Sequence, residues 1–274
     1  MKVKIAKEAG FCFGVKRAMK MAWDELELNS DIYALGPLIH NKQAVQRYED
    51  KGLVTVDTIN DIPNDKSVII RSHGVSSDIY DKANSNNLNI IDTTCPFVKK
   101  IHNIVKEFYE KGYKIIIIGD KKHPEIIGIN GWCENSALIV KSIDDVNSLN
   151  LDNNSKYCLV AQTTLNLELY NEIVNILSKK LDNITFKNTI CSATKTRQQA
   201  AKELSVDVDC MIVIGGKHSS NTQKLVNICK EQVPTFAIET KEDLDIDKLN
   251  ISKKQKIITK CYKSKMFITA LIIY

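Results

Sequence analysis

Short apolar runs rich in Ile and Val alternate along this chain with segments long enough to be helices. The runs include Ile32-Tyr33-Ala34-Leu35, Ile115-Ile116-Ile117-Ile118 and Met211-Ile212-Val213-Ile214. They are nearly continuous in hydrophobicity, as strands buried on both faces are. The alternation predicts βαβ units on parallel sheets. The segment after Cys95 shows the helical period: Pro96 at its first position, Val98, Ile101, Val105 and Phe108 on one face, and Gly112 as a stop.

The pattern repeats. A cysteine that follows a strand-like run opens a helix-like segment at Phe11-Cys12-Phe13-Gly14, Thr94-Cys95-Pro96-Phe97 and Ile190-Cys191-Ser192-Ala193. At +24 from each cysteine stands a glycine (Gly36, Gly119, Gly215), and at +28 a polar residue (His40, His123, Ser219). Near +43 another strand follows and runs into an acidic turn, around Asp61, Asp145 and Asp243. Two repeats then show a strand ending in a polar turn, Val68-Ile69-Ile70-Arg71-Ser72-His73-Gly74 and Leu159-Val160-Ala161-Gln162-Thr163-Thr164. Thr163 falls where His73 falls in the first repeat. The third repeat offers the candidate strand Lys256-Ile257-Ile258-Thr259. Repetition of this order predicts an α/β fold of three similar lobes with mostly parallel sheets around a pseudo-threefold axis. Their bounds are 1–94, 95–190 and 191–274, and equivalent positions converge near the axis.

Composition narrows the function classes. The 274 residues are ample for a buried core. A net charge of +5, with lysines spread along the chain, suits an anionic small molecule or an acidic protein partner, and does not point to nucleic acid. No apolar run reaches the roughly 20 residues of a membrane span. The charged start Met-Lys-Val-Lys lacks the apolar stretch of a signal peptide. The expectation is a cytoplasmic protein without a membrane partner. The eight cysteines include no C-x-x-C pair, so zinc ribbons, thioredoxin-type sites and the ferredoxin ligand run have no support. A metal site must be assembled from distant segments.

The repeated trio Cys12, Cys95 and Cys191, brought to the axis, makes such a site. Each thiol stands at a helix N-terminus, where the dipole favours thiolate. Thiolates suit iron–sulfur clusters, zinc or Cu(I). A four-iron cubane on three protein ligands keeps one iron open. Cys133, Cys158, Cys210 and Cys229 read instead as small buried hydrophobes.

His40, His73 and His123 stand at strand ends, where α/β sheets face their ligands. His102 and His218 carry no assignment. Glu125, two residues from His123, is a candidate proton donor, because a carboxyl in a desolvated pocket keeps its proton to higher pH. Gly215-Gly216-Lys217-His218-Ser219-Ser220-Asn221-Thr222 opens a helix after a strand, and its backbone N–H groups can hold a phosphate. An open cluster, a proton donor and an anion pocket favour reductive chemistry on a small phosphorylated substrate.

These residues resemble a known family. Phe11-Cys12-Phe13-Gly14-Val15, Ile39-His40-Asn41, Arg71-Ser72-His73-Gly74, Asp92-Thr93-Thr94-Cys95-Pro96, His123-Pro124-Glu125, Gln162-Thr163-Thr164, Thr189-Ile190-Cys191 and Ser219-Ser220-Asn221-Thr222 look like the LytB family. Its members are 4-hydroxy-3-methylbut-2-enyl diphosphate reductases, at the last step of the methylerythritol phosphate route to isoprenoids. The resemblance implies a [4Fe–4S] cluster on Cys12, Cys95 and Cys191, at the centre of the three lobes. It also implies an allylic diphosphate held by His40, His73, His123, Ser219, Ser220 and Asn221, with Thr163 near the substrate hydroxyl and Glu125 delivering a proton. Isopentenyl and dimethylallyl diphosphates are the implied products, and ferredoxin or flavodoxin the implied electron donor.

One segment departs from the family. A small-residue loop of the Gly-Ala-Ser-Thr-Pro kind follows the last strand there, and its serine also holds the diphosphate. This chain has Lys260-Cys261-Tyr262-Lys263-Ser264-Lys265-Met266 instead. The altered tail carries an alternative expectation, a cluster- or zinc-binding homologue with weak or no turnover.

Overall fold

A computed structural model describes residues 3–244 and the backbone of 271–273. The candidate strand at 256–259 and the departing segment at 260–266 lie outside the described residues. The order is β1 (Val3–Ile5), α1 (Phe13–Leu28), β2 (Ile32–Leu35), α2 (Lys42–Glu49), β3 (Leu53–Val56), β4 (Ser67–Ile70), α3 (Ser77–Ser85) and β5 (Asn89–Asp92). Then come α4 (Pro96–Glu110), β6 (Lys114–Ile118), α5 (Pro124–Gly131), β7 (Leu138–Val140), α6 (Ile143–Ser148), β8 (Tyr157–Ala161), α7 (Leu167–Lys180) and β9 (Ile184–Phe186). The chain continues through α8 (Ser192–Ser205), β10 (Cys210–Ile214), α9 (Ser220–Lys230), β11 (Thr235–Ile238) and β12 (Leu271–Ile273).

The α/β class and the parallel sheets follow the sequence pattern. Two sheets share one topology, β3-β2-β4-β5 and β7-β6-β8-β9, and every pairing in them is parallel. In the second, the continuous hydrophobicity of β6 and β8 has a direct cause. Ile116, Ile118, Leu159 and Ala161 face one core with Ile173 and Leu177 of α7. The alternate residues Ile115, Ile117, Cys158 and Val160 face another with Ile101 and Val105 of α4. Helices cover both faces, so both strand registers must be apolar.

The third sheet has the order β1-β12-β10-β11. β10 and β11 pair in parallel, like β2 and β3, but β12 runs antiparallel to both β10 and β1. Its strand beside β10 therefore comes from Leu271–Ile273 and in reverse direction, and the N-terminal β1 completes the sheet. Antiparallel addition needs no helical crossover, only an apolar run able to reach the edge.

The repeats recur at the level of individual hydrogen bonds. The +24 glycine donates its N–H to the last residue of the neighbouring strand each time: Gly36 to Val56, Gly119 to Val140 and Gly215 to Ile238, at 2.8, 2.9 and 2.9 Å. The acidic turns at Asp61, Asp145 and Asp243 are all the third residue of a capping box, opened by Thr58, Ser142 and Thr240 respectively. In each, the aspartate carboxylate accepts the backbone N–H of the cap residue, and at Ser142 the hydroxyl also accepts the Asp145 N–H; such a cap contributes about 1 kcal/mol. The glycine has a packing reason as well. A Cβ on Gly119 would lie 2.5 Å from Ile126 Cδ1, and one on Gly215 would strike Thr222, the equivalent first-turn residue of α9.

The chain forms two compact units. Of the described residues, the smaller gathers those up to Cys12, His40–Lys42 and those from Ser192 onward; the larger gathers Phe13–Ile39 and Gln43–Cys191.

Candidate active site

In the larger unit the strand ends carry most of the chemistry. Pro96 starts α4 with Cys95 as its N-cap, and Pro124 starts α5 with His123 as its N-cap. His123 Nδ1 accepts the Glu125 backbone N–H at 3.1 Å. That bond needs a lone pair on Nδ1, so the proton of the neutral ring sits on Nε2. The His73 ring meets the His123 ring edge-on, centroids 5.6 Å apart.

Glu125 is buried, 3% exposed, in the first turn of α5. Its Oε1 accepts from the backbone N–H of Thr163 at 2.6 Å and its Oε2 from the Thr163 hydroxyl at 2.7 Å. Thr163 in turn accepts the N–H of Cys191 through its carbonyl, at 3.0 Å. The acid, the hydroxyl and the backbone of one of the three cysteines are thus joined through a single residue.

The equivalent bond in the first repeat runs from Cys95 N–H to the carbonyl of Ser72, also at 3.0 Å. Two further bonds agree: Gly74 N–H to Arg71, and Leu165 N–H to Gln162. Ser72 is therefore the counterpart of Thr163, and Thr164 that of His73. The expected equivalence of Thr163 with His73 is corrected by one residue. The strand pairing sets the register, with Ile70 opposite Leu35 and Ala161 opposite Ile118.

The smaller unit carries Cys12, His40 and the opening of α9. Ser219 is the N-cap and accepts the Thr222 N–H at 3.3 Å, with Ser220 and Asn221 following on the first turn. A Cβ on Gly216 would strike the carbonyl oxygen of His40, so only glycine lets these two backbones approach. His218 is exposed.

The cysteines divide by environment. Cys12, Cys95 and Cys191 are partly exposed thiols, each immediately before a helix; Cys133, Cys158, Cys210 and Cys229 are buried. Burial pushes the Cys158 thiol up to about 12 and the Cys229 thiol to about 11, which leaves them protonated and inert. The partly exposed set, with its soft donors at helix N-termini, fits an iron–sulfur cluster; the buried set does not.

Arginines steady the turns that present the cysteines. Arg17 donates to the carbonyl of Thr94 at 3.3 Å, and Arg197 to that of Gly10 at 3.2 Å. His102, given no role by the sequence, is 2% exposed and stacks on Trp132 with centroids 5.2 Å apart. It backs the His73–Gly74 turn: Gly74 has φ +71, and a Cβ there would lie 2.5 Å from His102 Cε1. Burial pushes the His102 imidazole down to about 4.

Repeated parallel α/β sheets whose strand ends carry thiols, histidines and a buried acid define a class of α/β protein with its reactive side chains gathered at strand ends. The chain belongs to the LytB family, whose model, described as LytB protein, matches residues 3–261. It is 68% identical over 250 residues to the 4-hydroxy-3-methylbut-2-enyl diphosphate reductase of Clostridioides difficile, covering 91% of this chain and 90% of that one. The reductase of the same name from Alkaliphilus oremlandii is 51% identical over 252 residues, 90% of this chain and 89% of that one. Among solved structures, the E-1-hydroxy-2-methyl-but-2-enyl-4-diphosphate reductase of Plasmodium falciparum superposes with a TM-score of 0.85 at 35% identity, over 89% of this chain and 78% of that one. A second, an (E)-4-hydroxy-3-methyl-but-2-enyl diphosphate reductase described as the terminal enzyme of the non-mevalonate pathway, gives a TM-score of 0.67 at 38% identity, over 89% of this chain and 88% of that one.

Proposed function

We propose that this protein is a 4-hydroxy-3-methylbut-2-enyl diphosphate reductase. Its substrate would lose its hydroxyl as water with two electrons and two protons, giving isopentenyl and dimethylallyl diphosphates. Three lobes, residues 1–94, 95–190 and 191–274, would present Cys12, Cys95 and Cys191 to one [4Fe–4S] cluster. When bound, that cluster supplies the electrons, received from a small acidic carrier such as ferredoxin or flavodoxin.

The chain's own residues do the rest. His40, His73, His123, Ser219, Ser220 and Asn221 hold the diphosphate. The proton on His123 Nε2 makes that nitrogen a donor to an anion. Thr163 orients the allylic hydroxyl and Glu125 protonates it as it leaves. The observation that carries this reading is the doubly held Glu125–Thr163 pair, tied to Cys191 through the Thr163 carbonyl. A cluster- or zinc-binding homologue without turnover is not favoured, because relatives as close as 68% identity bear the reductase name. Among the described residues no helix is long and apolar enough to cross a membrane.

Anaerobic purification with iron and sulfide analysis, followed by a reduced-dye assay on the allylic diphosphate, tests the reading. We expect four irons per chain and turnover. A zinc-loaded, iron-free protein would overturn it.

A further inference from the structure

We infer that Arg71 is an additional anion-binding residue of this site, a guanidinium set at a strand end to meet the diphosphate. The inference rests on the reductase reading above, which assigns Arg71 no role. Arg71 follows β4 directly and precedes Ser72 and His73. Its side chain lies against Gly36, the residue after β2. A Cβ on Gly36 would be 2.5 Å from Arg71 Nη1 and 3.2 Å from Cζ, and Gly36 has φ +70. The glycine opens the slot that the guanidinium fills.

What sets Arg71 apart is the state of its charge. Its Nε is buried and has no hydrogen-bond partner, and among the described residues no carboxylate forms an ion pair with it. Burial lowers its pKa. A guanidinium does not give up its proton at neutral pH. Arg71 is therefore a half-buried cation with no counter-charge among the described residues, an arrangement that costs stability unless an anion supplies the balance. The two arginines near the cysteines behave differently: Arg17 and Arg197 both have backbone carbonyl partners. The nearby acid Asp92 is engaged by Lys99 at 2.7 Å and by the Tyr80 hydroxyl at 3.1 Å.

A diphosphate suits this position. The planar fork of a guanidinium matches two phosphate oxygens at once. Arg71 stands at the carboxyl end of a parallel strand, where α/β sheets bind ligands, two residues before His73.

The test compares wild-type protein with Arg71→Met and Arg71→Lys by thermal unfolding and by calorimetry with inorganic diphosphate. Arg71→Met should unfold no lower than wild type without ligand, because an uncompensated buried charge is gone. It should also bind diphosphate about tenfold or more weakly, with Arg71→Lys in between. These opposite signs separate anion binding from packing, since a merely structural arginine would lower ligand-free stability and leave diphosphate affinity alone. Arg71→Met that binds diphosphate as tightly as wild type overturns the inference. So does intact binding combined with a lowered cluster midpoint potential, which would assign the charge to the cluster. Wild-type protein that binds diphosphate through Arg71 but does not reduce the allylic substrate overturns the reductase reading and upholds the anion site.

Discussion

Thr163 holds both carboxylate oxygens of Glu125, one with its backbone N–H at 2.6 Å and one with its hydroxyl at 2.7 Å. Removing the hydroxyl takes a hydrogen bond from Oε2 in a buried place. Thr163→Val should destabilise the protein by about 1–3 kcal/mol and cut turnover, while Thr163→Ser retains both. Glu125→Gln, which cannot deliver a proton, should lower kcat by roughly 10²–10⁴ with the fold intact. Thermal unfolding beside a reduced-dye assay reads both; a fully active Glu125→Gln removes the acid from the mechanism.

Acid should weaken the fold through His102. Its imidazole is pushed down to about 4 from an ordinary 6.5 by burial. The unfolded chain therefore takes up this proton at a higher pH than the folded one. The stability tied to the neutral ring is complete above about pH 6.5, and falls as pH drops toward 4. The loss amounts to ~3 kcal/mol at 1.36 kcal/mol per unit. Denaturant midpoints measured from pH 7 to 4 should fall less steeply for His102→Phe than for wild type. Parallel pH profiles would show that another group dominates.

Two glycines should respond differently to alanine. At Gly216 the new methyl meets the His40 carbonyl oxygen. The variant should lose about 1–3 kcal/mol and raise KM by displacing His40. At Gly112, φ is +78 and nothing lies within 4 Å of a Cβ. That alanine should cost about 1–2 kcal/mol with KM unchanged. Equal KM values for the two variants would count against a binding role for His40.

Iron content should follow the division among the cysteines. Cys12→Ala, Cys95→Ala and Cys191→Ala should each fail to retain four irons after anaerobic reconstitution. Cys133→Ala and Cys158→Ala should retain them while unfolding at lower temperature, because both thiols fill apolar cores. Iron and sulfide analysis decides the matter, and loss of the cluster in Cys158→Ala alone would contradict the division.

Much of this architecture was legible in the sequence because the repeats are written in residues that shape the backbone. The +24 glycines answer to one hydrogen bond, and Asp61, Asp145 and Asp243 to one capping box. The apolar face of α4 was readable too, since Val98, Ile101 and Val105 are all buried.

The one-residue slip at Thr163 arose because nothing in the sequence marks the last paired residue of a strand. The carbonyl partners of Cys95 and Cys191 reveal it. The burial of Arg71 Nε was hidden for another reason. An arginine in a polar turn looks solvated until one sees its buried Nε, with no acid paired to it among the described residues. His102 was opaque likewise, because its position on the buried face of α4 says nothing of the Trp132 ring stacked on it.

The smaller unit joins segments that are remote along the chain. Lys4 pairs with Asp207 across 203 residues, and Arg197 reaches Gly10 across 187. The larger unit builds its sheets from successive βαβ crossovers. During synthesis its contacts can close as the chain emerges, whereas the smaller unit must wait for its distant half. Folding should therefore be sequential, with a populated species in which residues 13–39 and 43–191 are protected from hydrogen exchange before Val3–Ile5 is. Cys12 and His40 both belong to the late-forming unit, so the binding apparatus would be complete only at the final step of folding.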